Sequence, residues 1–186
     1  MSISSIVRMV LWLVMILGGG ILSYYLDSLL FEDIKSNIIF LIISFVVGVF
    51  LLRLVLKISR NTGRTLSKYG RKGNISRMET NILATEGIYK FMRHPMHLGL
   101  LFFPVSIAFL ICSPSFILII SPLEIIFMLI MIKFVEEPDA IKKFGTKYLD
   151  YMQKVPWFCF NMECLKELFK PVPKIYNNTI GNKYVS

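Results

Sequence analysis

The chain has 186 residues, room for one domain, and 55% of them are hydrophobic against 18% charged, with a mean hydropathy of +0.63. That balance excludes a soluble globular chain and a disordered one. The formal charge of +9 raises nucleic acid as a partner, but the 21 Lys and Arg residues fall almost entirely outside the apolar runs, as in a membrane protein.

A first apolar stretch, Ile6 to Leu26, is about long enough to cross a ~30 Å hydrocarbon layer as a helix. Arg8 is the only basic residue near its start and no small-residue cleavage site follows, so an uncleaved anchor is expected, with Gly18, Gly19 and Gly20 letting another helix come close. An acidic connection, Asp27 to Asn37, leads to a second run, Ile38 to Leu56. The two make a hairpin.

Composition then shifts. Arg53 to Arg93 holds ten basic residues (Arg53, Lys57, Arg60, Arg64, Lys68, Arg71, Lys72, Arg77, Lys90 and Arg93) against Glu79 and Glu86. The segment reads as a cytoplasmic loop by the positive-inside rule. It carries no recognition motif or regular aromatic interleaving, so anionic lipid head groups suit it better than nucleic acid. Asn-x-Ser/Thr matches at Asn74 and Asn177 carry little weight on that side.

A third apolar run starts at Pro95 and ends near Cys112. After Ser113-Pro114, with Pro114 suited to the first turn of a helix, a fourth extends to about Val135. Glu124 lies near its middle, where a carboxylate is costly; it is either a structural acid bonded between helices or a functional group. Four spans put both termini in the cytoplasm. The tail from Glu136 to Ser186 holds eight lysines and six acids.

Within the tail, Ile141, Phe144, Tyr148, Tyr151 and Val155 repeat at helical spacing, so one amphipathic helix is expected, only mildly interrupted by Gly145. After Pro156, the residues Trp157, Phe158 and Phe160 read as interfacial anchors, and Met162 to Lys170 as a second short amphipathic helix. The tail either lies on the bilayer or also closes over a site. From Pro171 a flexible end is expected. Cys112, Cys159 and Cys164 form neither a CxxC pair nor a zinc-spaced cluster, so no disulfide framework and no metal site is expected, and all three read as small apolar residues.

Candidate chemistry gathers at two points. Arg93-His94-Pro95 puts Pro95 at a first helical position and His94 at the cap, where unpaired backbone N–H groups, Arg93, and the imidazoles of His94 and His97 could seat an anionic group. The alternative is an interfacial cap with snorkelling basic residues. Glu136-Glu137-Pro138 returns to the same level through the hairpin. There the two carboxylates either face donors or a cation or mark the exit into water, and Pro138 places the pair at a helix break.

The run Leu83-Ala84-Thr85-Glu86-Gly87-Ile88-Tyr89, then Arg93-His94-Pro95, Glu136-Glu137, Phe144-Gly145, Tyr148, Tyr151 and Val155-Pro156 resembles the isoprenylcysteine carboxyl methyltransferase and phospholipid methyltransferase superfamily over roughly residues 74 to 158. The resemblance implies an all-α integral membrane protein of about four transmembrane helices with a C-terminal amphipathic helical cytosolic segment. From the apolar runs and composition shifts, residues 1–57 are expected as an N-terminal transmembrane hairpin, 58–170 as the methyltransferase-like region with its cytosolic loop, second hairpin and interfacial helices, and 171–186 as a flexible tail. The resemblance goes further in chemistry. It implies an S-adenosylmethionine-dependent methyltransferase acting on a lipid or lipid-linked acceptor, carboxylate or amine, with the site and both termini cytoplasmic. Cofactor contacts transfer to Asn81, Ile82, Leu83, Ala84, Tyr89, His94, Pro95, Met96, His97 and Glu136, with Asn74 a weaker candidate. Glu137, His97 and Arg93 are the catalytic candidates; Glu137 and His97 are the nearest bases if an amine acceptor must lose a proton. The chain departs from the family's pattern at His97, where Tyr is common, and at Ile132, where the carboxyl methyltransferases carry an acceptor-holding Arg. An NADPH-dependent steroid reductase-like oxidoreductase and a non-enzymatic membrane scaffold are the rival classes.

Overall fold

The computed structural model describes residues 3–73 and 80–172. Asn74, Arg77, Glu79 and the Asn177 sequon lie outside the described residues, as does the tail from Pro173 and the side chain of Arg8. The described residues form helices and no strand: α1 (Ile3–Leu30), α2 (Glu32–Ser36), α3 (Ile38–Tyr69), α4 (Pro95–Leu110), α5 (Phe116–Phe144), α6 (Thr146–Lys154) and α7 (Met162–Phe169), with a 3₁₀ turn over Gly87–Lys90. Among them Val10–Leu30, α3 and α5 are long and apolar enough to cross a membrane, and α4 is a shorter apolar helix. Their outer faces carry exposed Leu13, Leu17, Ile21, Ile42, Phe45 and Leu118, apolar all round as a lipid-facing helix requires.

Helices α3 and α4 form the closest pair, antiparallel, because glycines let their backbones approach at both ends. A Cβ on Gly48 would lie 2.6 Å from the Leu110 amide nitrogen, and one on Gly99 would lie 2.6 Å from Ser59 Oγ. Ser44 adds a hydrogen bond to the Phe109 carbonyl at 2.8 Å. Asp27 was expected to open an acidic connection; instead it lies within α1, buried, and accepts from the Ser115 amide at 2.8 Å. There it satisfies an N–H at the start of α5 that has no partner within its own helix.

The basic segment is not a loop from residue 57 onward. Helix α3 continues to Tyr69, so Lys57, Arg60, Arg64 and Lys68 ride on a helix. It persists because Ile58, Asn61, Thr62 and Thr65 fall on one buried face, and Asn61 Nδ2 donates to the Leu168 carbonyl at 3.2 Å. That face packs into a core with Ala84, Ile88, Tyr89, Met92, Leu98, Cys164 and Leu168.

Pro138 does not break the chain. Helix α5 runs through it, with Glu137 in right-handed helical geometry. A π turn over Ile132–Glu136, closed by Glu137 N–H to the Ile132 carbonyl, widens the helix just before the proline ring. The same device precedes Pro122, where a π turn over Phe116–Ile120 is supported by Ser121 Oγ donating to the Phe116 carbonyl at 2.6 Å.

Gly145 interrupts more than mildly. With φ +60° and ψ −139° it ends one helix and starts the next at a corner. Trp157 and Phe158 are half-buried and pack against the cluster of Leu101, Met128 and Ile132, whereas Phe160 is exposed. Cys159 and Cys164 are joined as a disulfide, Cα atoms 6.1 Å apart, so the expectation of three unlinked cysteines holds only for Cys112. Asn161 caps α7 by accepting from the Cys164 amide at 2.9 Å and so folds the two cysteines together. At the edge of the expected flexible end, Val172 is tethered by Arg64 Nη1 at 3.0 Å.

Candidate active site

The Arg93-His94-Pro95 corner is placed by three devices. Gly87, at φ +61°, opens the 3₁₀ turn that buries Tyr89. Pro95 occupies the first turn of α4, where its missing N–H costs nothing. The Arg93 and His94 amides donate to the Pro156 and Trp157 carbonyls at 2.9 and 3.2 Å. Those amides are therefore committed to the chain, and the expected anion seat on free N–H groups at this cap is not built from them.

The two carboxylates of α5 divide. Glu137 is buried: its Oε1 lies 3.0 Å from Arg93 Nη1 and 3.3 Å from His94 Nε2, and the Trp157 indole N–H also bonds its carboxylate. Glu136 is more open, with Oε1 3.8 Å from His97 Nε2. The His94 and His97 rings meet edge to face with centroids 5.4 Å apart, and His94 meets Trp157 in the same way at 6.3 Å.

Two cavities adjoin this cluster. The first, open and of about 150 Å³, is lined by Leu66, Thr80, Ile82, Leu83, Ala84, Tyr89, Arg93, His94, Glu136, Ala140, Phe144, Tyr148 and Tyr151. The second, about 50 Å³ and largely apolar, lies between α1 and α5 and is lined by Leu11, Trp12, Met15, Phe127, Met128, Met131 and Ile132, with His97 and Glu136 at one end. Glu136 borders both.

Burial sets the protonation of the first cavity. It pulls His94 down to about 3, helped by the positive charge of Arg93 and the neighbouring His97, so the imidazole is neutral at physiological pH. Burial and the nearby Glu137 push the Tyr148 phenol up to about 12, and burial raises Tyr89 and Tyr151 as well. Tyr151 Oη donates to the Tyr89 carbonyl, tying α6 to the 3₁₀ turn.

Of the residues singled out in the sequence, Ile82, Leu83, Ala84, Tyr89, Arg93, His94 and Glu136 come together around the first cavity, and His97 and Glu136 at the second. Asn81, Pro95 and Met96 are not among the lining residues of either. The Asn81 side chain instead clasps the Lys72 backbone, accepting from its N–H at 2.9 Å and donating to its carbonyl at 2.7 Å. Sequence reasoning did not assign Ala140 and Phe144 to the site, although they follow Glu136 at i+4 and i+8 and so share its face. Tyr148 and Tyr151 were visible as an apolar stripe, but not as walls of a cavity. Leu66 was hidden by the reading of α3 as a loop.

A family model described as phospholipid methyltransferase matches residues 37–147. The chain belongs to the phospholipid methyltransferase family. Protein-S-isoprenylcysteine O-methyltransferase B of Arabidopsis thaliana is 34% identical over 83 residues, 44% of this chain and 41% of that protein. The mouse protein-S-isoprenylcysteine O-methyltransferase is 29% identical over 84 residues, 42% of this chain and 27% of its own length. The matched segment thus spans less than half of these relatives. The match to the phospholipid methyltransferase family takes in α3, α4 and both carboxylates of α5, but not α1, which supplies one wall of the apolar cavity.

Proposed function

We propose that this chain is an S-adenosylmethionine-dependent methyltransferase of the membrane that acts on a lipid or lipid-linked acceptor, with the cofactor in the first cavity and the acceptor's apolar part between α1 and α5. The carrying observation is that a mixed polar cavity and an apolar one share Glu136 as a common wall. The basic residues of α3 lie toward this end, which supports a multi-pass chain with its site and termini on the cytoplasmic side.

The lining suits the cofactor. Arg93 Nε is buried without a hydrogen-bond partner among the described residues, a donor suited to a carboxylate. Ile82, Leu83 and Ala84 offer an apolar wall for a purine, and Glu136 a carboxylate for the cationic part. When bound, the cofactor supplies an electrophilic methyl group on a sulfonium. The protein's task is then alignment and exclusion of water: Tyr148, Tyr151 and Phe144 wall the cavity, while Glu136 and His97 stand at its seam with the acceptor groove. A carboxylate acceptor needs no base. For an amine acceptor His97, beside Glu136, takes the proton. Glu137, held by Arg93, His94 and Trp157, acts as a positioning residue that orients Arg93 and His94.

The test is incubation of purified, reconstituted protein and native membranes with radiolabelled S-adenosylmethionine. Label in a lipid or lipid-modified protein fraction is expected, abolished by Glu136→Gln. Label no higher than in a heat-killed control, or binding of NADPH in preference to S-adenosylmethionine, would overturn the proposal.

A further inference from the structure

The strap from Val155 to Asn161, between α6 and α7, is fastened at both of its halves. The first half holds the candidate site: the Pro156 and Trp157 carbonyls accept from the Arg93 and His94 amides at 2.9 and 3.2 Å, and the Trp157 indole N–H bonds the Glu137 carboxylate. The second half is held by a covalent bond, Cys159 Sγ to Cys164 Sγ. Cys164, in the first turn of α7, is fully buried in one core with Ala84, Tyr89 and Met92, whereas Cys159 is half-buried at the edge of that core. Ala84 and Tyr89 also line the first cavity. Helix α7 is itself anchored to α3, where Asn61 Nδ2 donates to the Leu168 carbonyl at 3.2 Å. The disulfide is therefore the covalent join between a strap that holds the Arg93–His94 corner and a helix fixed in the core.

We infer that the Cys159–Cys164 link is a redox latch: oxidised, it holds the Arg93–His94 corner in place, and reduced, it lets strap and corner open. The inference rests on the cytoplasmic placement of this end proposed above, since a link on that side faces a reducing thiol pool, where disulfides are more often redox-sensing than structural. Burial sets the course of reduction. A dithiol reductant attacks as thiolate at Cys159 Sγ, the half-buried sulfur. The bond to Cys164 breaks, and Cys164 leaves as a thiol with the proton its attacker gave up, because apolar surroundings disfavour a thiolate. The reductant's second thiol then displaces Cys159, passes it a proton and leaves as a cyclic disulfide. The two sulfurs thereby move from covalent to van der Waals separation in a core where Met92 and Cys164 have no exposed surface, which presses on Ala84 and Tyr89. The strap also regains the freedom that ring closure withheld, and its hold on the Arg93 and His94 amides weakens. Cys112, a free thiol at the opposite end of α4 from His94, serves as an internal control.

The experiment equilibrates the full chain in nanodiscs with mixtures of reduced and oxidised dithiothreitol and follows amide hydrogen exchange on peptides containing Arg93 and His94. Alkylation of the thiols at each mixture gives the fraction linked. Exchange at the corner is expected to run about tenfold or more faster once the link is reduced, along the same titration curve as the thiols, while exchange around Gly48 in α3 stays unchanged. Cys112→Ser should respond as the unsubstituted chain does, and Cys159→Ser should exchange at the fast rate in every mixture. Free thiols at both Cys159 and Cys164 in fully oxidised dithiothreitol, corner exchange indifferent to the mixture, or an undiminished response in Cys159→Ser overturns the inference. S-adenosylmethionine affinity, measured by calorimetry in the same mixtures, should fall about tenfold on reduction as the fraction with a closed corner falls. A corner that loosens on reduction while S-adenosylmethionine binds equally well in both states, or in neither, leaves the latch standing and counts against the cofactor's proposed place.

Discussion

Arg93 and Glu137, from opposite ends of the α4–α5 hairpin, meet at 3.0 Å with both side chains more than nine-tenths buried. An ion pair so placed holds geometry more than it adds stability, because each partner has given up its water. Removing one partner leaves a charge stranded. Arg93→Ala or Glu137→Ala should each lower stability by about 3–5 kcal/mol, read as thermal unfolding of the detergent-solubilised protein. The double variant Arg93→Met/Glu137→Leu should recover most of that loss yet still fail to bind S-adenosylmethionine. Recovery of binding in the double variant would remove Arg93 from the cofactor site.

His94 gives the site a pH signature. Its folded-state value of about 3 lies below the ordinary 6.5, so below pH 6.5 the unfolded chain takes up a proton that the folded chain refuses. Its contribution to stability is full above about 6.5 and is lost as pH falls toward 3. Melting temperature should therefore drop on acidification below pH 6.5, and the slope should be shallower in His94→Asn. Equal slopes would show that His94 is not held neutral.

The glycines of α3 separate packing from flexibility. Gly48→Ala drives a methyl group into the Leu110 backbone and should destabilise by about 1–3 kcal/mol. Gly63, with nothing within 4 Å of its would-be Cβ, should accept alanine and gain up to about 1 kcal/mol from helix propensity. Thermal melts of the two variants side by side read the difference.

Tyr151→Phe removes the hydroxyl that holds the Tyr89 carbonyl and leaves that buried acceptor short of a donor. A loss of about 1–3 kcal/mol is expected, together with weaker S-adenosylmethionine binding by calorimetry, since both tyrosines line the cavity.

The apolar segments and the corner at Pro95 could be read from hydropathy and proline chemistry because both are local signals. The cytosolic half of α3 could not. Its buried stripe of Ile58, Asn61, Thr62 and Thr65 is mostly polar, and only its partners across the fold reveal it as a packing face. Nor could the sequence say which of two adjacent glutamates is buried, because the π turn before Pro138 resets the helix register and turns Glu137 to Arg93 while Glu136 borders the cavities. The Cys159–Cys164 link depends on the Asn161 cap, whose effect on chain direction no spacing rule captures.

The backbone pairing of Arg93 and His94 with Pro156 and Trp157 bears on the order of biogenesis. As the polypeptide leaves the ribosome, α1, α3, α4 and α5 are all made before Trp157 is synthesised. The hairpins can thus be inserted and docked while the histidine corner still lacks the carbonyls that fasten it. The corner at Arg93 and His94 is thus fastened only after the apolar helices that precede it and follow it have been made.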